Sequence, residues 1–487
     1  MVIIFVTCTS SLCYAKKKEK SVVLRVCNWE EYIDLGDWDD DEAIDLSDDN
    51  VIMGINSMIE DFEEWYYKNY NVRCKVEYST FGTNEELYNQ MNLGDTYDIV
   101  CPSEYMIMKL LDEDRLLPYD KNFFDKNIDN NYYIKGVSPY IKNEFETNEI
   151  NGEKWSKYAA GYMWGITGIV YNPDLVTREE ASTCEIIRNP KFNRRVTIKD
   201  NVRDAYFAAL SVYKSDLLLS KDFRDSADYR ERLADEMNDV KKDTINNVQD
   251  ILVDMKNNVY SFETDSGKSD MVTGKIVANY QWSGDAVYAL DQAEEDGLYL
   301  DFAVPNECTN LWFDGWVMLK DGIGKDQDKK QAAQAFVNFL SRPDNVVRNM
   351  YYIGYTSVIS GGQDSTVFDY VDWCYSADDD CEDVTEYSVD YFFNDGSSNK
   401  DYVLTVEADQ PYRQLGAQYP SENDIKKSAI MRFFDKDANR DINKMWINVR
   451  CFNIKDIPVA CYIVFGIIAL FIAGLLVKKM ICNKKKV

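Results

Sequence analysis

The chain has 487 residues, longer than one hydrophobic core usually grows, which favours two or more domains. Hydrophobic residues make up 45% of it, enough to bury a sizeable core and to exclude wholesale disorder. Its 84 acidic residues outnumber 54 basic ones, and the net charge of −30 repels nucleic-acid phosphates and anionic lipid and favours cations. There is no histidine, which removes Ser-His-Asp and Cys-His nucleophiles and histidine-ligated metals.

In chain order, residues 2–15 are mostly apolar and small and end Cys13-Tyr14-Ala15, so residues 1–20 read as a signal-like or anchor segment. Branched apolar runs at 22–26, 72–78 and 97–101 predict strands, and helical spacing over 53–70 and 84–93 predicts the helices between them. That alternation implies an α/β fold with a parallel sheet, whose ligands bind at the carboxyl ends of strands. Asn28-Trp29-Glu30-Glu31-Tyr32 and Ser103-Glu104-Tyr105 both follow strands and meet at one rim. A second set follows: strands at 163–171 and 195–198, a helix at 204–213, and a charged helical stretch at 226–256. Strands at 276–281 and 311–319 and a helix at 329–340 complete it. The acidic stretch 34–50 and the polar stretch 361–400 read as loops or insertions.

Residues 457–477 carry no charge over a length that matches a bilayer core, which predicts one transmembrane helix. The tail 478–487 has five lysines and no acid and is expected in the cytoplasm, leaving the preceding part outside with a charge of −35 from 49 basic and 84 acidic residues.

Trp29, Tyr32, Tyr105, Trp164, Trp282, Trp312 and Tyr355 lie at or beside predicted strand ends, next to Glu, Asp, Ser or Gly. Rings so placed can cage an organic cation, at about 0.5 to 2 kcal/mol each, or they can be partly buried core. Glu31, Asp204 and Asp314 are the complementary carboxylates, each able to hold an ammonium or to be a solvated acid; Asp204 also stands where it can cap a helix. Asp435, Asp437, Asn439 and Asp441 alternate like a calcium loop, but Arg440 replaces the needed Gly and Trp446 the bidentate Glu. Of twelve cysteines, four lie in the end segments; the other eight form no Cys-x-x-Cys pair, and Cys374 and Cys381 are close enough to bridge. No metal or cofactor is expected. Glu30 and Glu31 as a glycosidase pair are disfavoured, because neighbours on an extended chain point to opposite faces.

These segments resemble the spermidine/putrescine-binding proteins of bacterial polyamine ABC importers, which have the two-lobed type II periplasmic-binding-protein fold. The resemblance rests on Asn28 to Tyr32, Tyr78-Ser79-Thr80-Phe81 with Asn84-Glu85, Tyr97 to Val100 with Pro102 to Tyr105, and Met163-Trp164-Gly165. It continues through Arg203-Asp204, Trp282-Ser283-Gly284, Trp312-Phe313-Asp314 and Ile353-Gly354-Tyr355. It implies one lobe from residues 21–159 and 313–362 and another from 160–312 and 363–450, closing on an extended polyamine. By the same resemblance Trp29, Tyr32, Tyr105, Trp282, Trp312 and Tyr355 form an aromatic box, Glu31, Asp204 and Asp314 hold the amino groups, and Ser103 is a polar neighbour. Glu30, Trp164 and Asn201 are further candidates. Glu30 stands where relatives often have a small polar residue, Asn201 where they often have Asp, and Met431 where some have Gln.

The implied function is capture of spermidine or putrescine outside the cell and delivery to an ABC permease and its ATPase, with no covalent chemistry. The alternatives are another organic cation or an amino acid bound by the same fold, or a surface sensor or adhesin.

Overall fold

Between Ser21 and Trp29 the buried residues first alternate, Val22, Leu24 and Val26 inside with Ser21 and Val23 outside, and then run together through Cys27 and Asn28. That is the pattern of a strand whose carboxyl end is covered on both faces. The computed structural model describes residues 20–47, 50–396 and 402–451. The described residues divide into two compact units, one of residues 20–164, 313–378, 388–396 and 402–405 and the other of residues 165–312, 379–387 and 406–451.

In the first unit Ser21–Trp29 is central, parallel to Arg73–Phe81 on one side and to Ile99–Val100 on the other. Ile99 and Val100 pair antiparallel with Val317 and Met318 of the long strand Thr309–Leu319. The connecting helices are set by their caps. Ser57 and Glu60 form a capping box for Met58–Tyr70, which buries Met58, Phe62 and Tyr66 at helical spacing and ends where Asn71 turns left-handed at φ 51°. Phe62 packs edge-on against Phe336 with ring centroids 5.0 Å apart, tying this helix to Gln327–Leu340. Thr83 caps Asn84–Leu93, which spans the residues expected.

In the second unit Val196–Lys199 lies parallel between Ser261–Glu263 and Ala278–Trp282, and the last of these runs antiparallel to residues 167–171. Its apolar core gathers Tyr171, Phe192, Ile198, Phe207, Leu252, Tyr280 and Met431. Met431 is 2% exposed.

Several expectations change. The helix placed at 53–70 starts at Met58, where Ser57 caps it, and Asn50–Ile52 is a strand paired with Ile44–Ser47, which lies in the stretch read as loop. The stretch 226–256 is two helices, Tyr229–Glu236 and Lys242–Asn258, interrupted where Asp239 accepts from Lys214 and Thr244. The region 361–400 holds the helices Thr366–Tyr375 and Asp390–Phe393 and the strand Val384–Ser388. Phe368 packs on Phe393 and Tyr402, and residues 363–378, 388–396 and 402–405 fall in the first unit, where the sequence division gave 363–450 to the second. Cys374 and Cys381 are free thiols rather than a bridge. Asp435 is a helix N-cap, accepting from the Asp437 and Ala438 N–H groups, so the calcium-like pattern is a helix start. Among the described residues no helix is long and apolar enough to cross a membrane; residues 1–19, the expected span 457–477 and the tail 478–487 lie outside the described residues.

Candidate functional site

The rim of the first unit's sheet is built from three strand ends. Trp29 closes the first strand, next to Phe81 on its neighbour, with ring centroids 4.7 Å apart. The chain then turns sharply, because Glu31 adopts φ 52°, and this brings Tyr32 back inward, 5% exposed. The tyrosine hydroxyl donates to Asp314 Oδ2 at 2.7 Å. The other oxygen of Asp314 accepts from the Ser103 hydroxyl, also at 2.7 Å, across an isolated bridge between the two backbones. Tyr355 and Tyr162 meet the Tyr32 ring edge-on at 5.0 and 5.6 Å, and the Tyr162 hydroxyl donates to the Tyr32 carbonyl.

Asp314 is 5% exposed. Burial pushes its carboxyl up to about 6, against the pull of the Ser103 and Tyr32 hydroxyls and the nearby Trp29 indole, whose N–H falls short of hydrogen-bond geometry. Burial, and then the charge of Asp314, raise Tyr32 well above the ordinary tyrosine range. Among the described residues no Lys or Arg pairs with Asp314. The arrangement is a desolvated carboxylate walled by aromatic rings and hydroxyls, which gains most from a cation that brings its own charge.

Behind this group sits Asn84, 1% exposed, whose amide donates to the hydroxyls of Ser103 and Tyr105 and accepts from the Ser103 N–H. Glu30 and Glu31 are both exposed at the turn. Trp164 is fully buried instead, stacked on Phe392 at 5.5 Å and against Tyr140, so its ring serves the core of this unit.

The second unit holds the remaining candidates. Asn201 caps Val202–Tyr213 by accepting from the Arg203 N–H, and Asp204, which also stood where a cap was possible, is left in the first turn. Asp204 Oδ1 accepts from the Trp282 indole N–H at 3.3 Å. Lys199, 1% exposed, lies 4.3 Å from the Trp282 ring centroid and donates to Asp285 at 2.9 Å and to the Thr264 carbonyl at 2.8 Å. Burial lowers the pKa of its ammonium, but the charges of Asp285 and Glu263 outweigh that and hold it above the usual lysine value. Trp312 is anchored by its indole N–H on the Ile166 carbonyl. Gly165 is required beside it: a Cβ there would lie 2.3 Å from Ser283 Oγ and 2.5 Å from Trp312 Cζ2.

Sequence reasoning left Asn84, Tyr162 and Lys199 out of the candidate set. Asn84 opens a helix at the rim, and Lys199 ends an apolar strand run; each position carries a signal only once its neighbours across the sheet are known.

The sequence profile of the bacterial extracellular solute-binding proteins matches residues 57–370. The chain belongs to that family. The putrescine-binding periplasmic protein of Escherichia coli (strain K12) is 26% identical over 297 residues, covering 58% of this chain and 70% of that protein. The spermidine/putrescine-binding periplasmic protein of the same organism is 24% identical over 286 residues, covering 58% and 69%. Among solved structures, the spermidine/putrescine ABC transporter substrate-binding protein of Streptococcus pneumoniae matches with a TM-score of 0.55 at 21% identity, over 88% of this chain and 99% of that one. The TpPotD lipoprotein of Treponema pallidum matches over the same shares with a TM-score of 0.56 at 16% identity. The two-lobed α/β fold of the periplasmic binding proteins is thereby shown.

Proposed function

We propose that this chain captures a polyamine, spermidine or putrescine, by closure of its two lobes and delivers it to an ABC permease driven by a cytoplasmic ATPase. The observation that carries this reading is Asp314: a buried carboxylate ringed by Trp29, Tyr32, Ser103 and, through Tyr32, Tyr355. Asp204 beside Trp282 offers a second carboxylate next to an indole, and a diamine needs two such ends joined by apolar contacts for its methylenes. Trp312, Tyr105 and Glu31 complete the proposed set, with Ser103 holding Asp314 and Glu30 and Asn201 at its margin. The similarity to putrescine- and spermidine/putrescine-binding periplasmic proteins supports the ligand class. A net binding free energy of about −8 kcal/mol corresponds to micromolar capture, and no bond is made or broken.

In this reading residues 457–477 tether the protein to the cell membrane, the binding part faces outward, and the basic tail 478–487 is cytoplasmic. The test of ligand class is a thermal-shift panel on the full chain in detergent. Putrescine or spermidine is expected to raise the midpoint, and choline and neutral amino acids to leave it unmoved. A shift with choline or an amino acid alone would replace the ligand, and no shift with any polyamine would refute the reading.

A further inference from the structure

The direction of the hydrogen bonds around Asp314 is set from behind. The Ser103 N–H points at one end of the Asn84 amide, 3.1 Å away, so that end is the oxygen and the other is the NH2 group. This NH2 group then faces two hydroxyls, Ser103 Oγ at 3.1 Å and Tyr105 Oη at 3.0 Å, and must donate to both. A hydroxyl that accepts on one side has its own proton free for the other. Ser103 spends it on Asp314 Oδ1 at 2.7 Å, and Tyr105 on Glu85 Oε1 at 3.3 Å. Asn84 itself cannot drift: it is 1% exposed and is the first residue of a helix capped by Thr83.

We propose that Asn84 is a positioning residue for ligand capture: its amide fixes the Ser103 hydroxyl as a donor, which keeps Asp314 an acceptor-only anion ready for an ammonium. The inference rests on the polyamine reading for its consequence, but the device it describes is present without ligand. Without the Asn84 donor, the Ser103 hydroxyl is free to rotate and the carboxylate loses one oriented charge-assisted bond. Among the described residues Tyr32, Cys101 and Tyr162 face Asp314, and burial drives each of them above its ordinary value, out of the range where Asp314 titrates; the buried Glu104 carboxylate is turned to the neighbouring Phe313 N–H.

The test is the midpoint of Asp314 ionisation, followed by carboxyl-carbon NMR on the aspartate-labelled full chain, with the resonance assigned by its loss in Asp314→Asn. Asn84→Ala is expected to raise that midpoint by about one unit, the worth of one hydrogen bond to a charged group. Asn84→Asp has the same shape and decides the matter if the alanine variant does not fold. Its carboxylate would accept from the Ser103 hydroxyl and turn that proton away from Asp314, so the midpoint should rise further. In a Ser103→Ala background, Asn84→Ala should add nothing, because the amide acts through that hydroxyl. Putrescine affinity near neutral pH should fall in parallel, several-fold. An unmoved midpoint, or a full shift that persists in Ser103→Ala, overturns the proposal. Correct midpoints with no putrescine binding to the unaltered chain would instead overturn the ligand assignment.

Discussion

If an ammonium pairs with Asp314, polyamine capture must weaken as this carboxylate takes up a proton. Its pKa is about 6 in the ligand-free chain, raised by burial. Primary ammonium groups titrate near 10, so the ligand keeps its charge across the range concerned. At about pH 8 nearly every molecule carries an ionised Asp314, whereas at about pH 5 only about one in eleven does, and affinity should fall about tenfold, or about 1.4 kcal/mol. The stability of the ligand-free chain runs the other way. Because the folded pKa lies above the ordinary aspartate value of 3.8, the contribution of Asp314 to stability is fully present below about pH 4 and is lost as the pH rises through about 6. Binding should therefore release close to half a proton at about pH 6, as the bound ammonium drives the group to its anion. Isothermal titration of putrescine into the full chain across this range, in buffers of different ionisation enthalpy, reads both quantities. Asp314→Asn should bind at least tenfold more weakly at about pH 8 and lose the pH dependence. A flat affinity in the unaltered chain, or the same tenfold fall in Asp314→Asn, refutes the reasoning.

Three further outcomes follow from the same structure. Lys199→Met leaves Asp285 and Glu263 buried, with Lys268 3.7 Å from Asp285, and should cost about 3 kcal/mol in denaturant unfolding of the full chain. Gly165→Ala should destabilise by about 1–3 kcal/mol and weaken putrescine binding, because the new methyl group must displace the Ser283 hydroxyl and the Trp312 ring; crystallography of the variant would show the ring moved. A chain ending at residue 451 should leave the membrane fraction for the soluble one while keeping its polyamine affinity, as checked by sedimentation and titration.

The first unit was largely legible because its signals are local. Val22, Leu24 and Val26 alternate into a strand, and Asn84–Leu93 follows a Thr cap and ends at Gly94, so both elements fall where periodicity and caps place them. The two helices between 229 and 258 merged in the reading because the charged stretch has no Gly or Pro, and the break depends on the distant Lys214. The stretch 361–400 hid its helices because Asp, Ser and Gly interrupt its apolar residues, and Phe368 finds its partners at Phe393 and Tyr402, distant in sequence. Within the candidate site, Tyr32 and Ser103 were legible as types at strand ends and Asp314 as a complementary carboxylate, and the structure joins them by two 2.7 Å bonds. Trp164 was read near the start of a strand at 163–171, but the strand runs Ala159–Tyr171 and is buried throughout, so Trp164 lies in its interior and packs into the core, whereas Trp29 closes its strand. Asn84 and Lys199 were missed for a related reason: one acts through Ser103 and the other beneath Trp282, partners distant in sequence.

In the proposed function a polyamine is held by buried carboxylates and rings. Calorimetric titration of putrescine and of spermidine into the full chain in detergent, near neutral pH, tests it most directly. A saturable site is expected, with a dissociation constant of about micromolar or lower for at least one of them, at least about tenfold tighter than for lysine or glutamate. Absence of saturable binding for both polyamines at about millimolar concentration would contradict it.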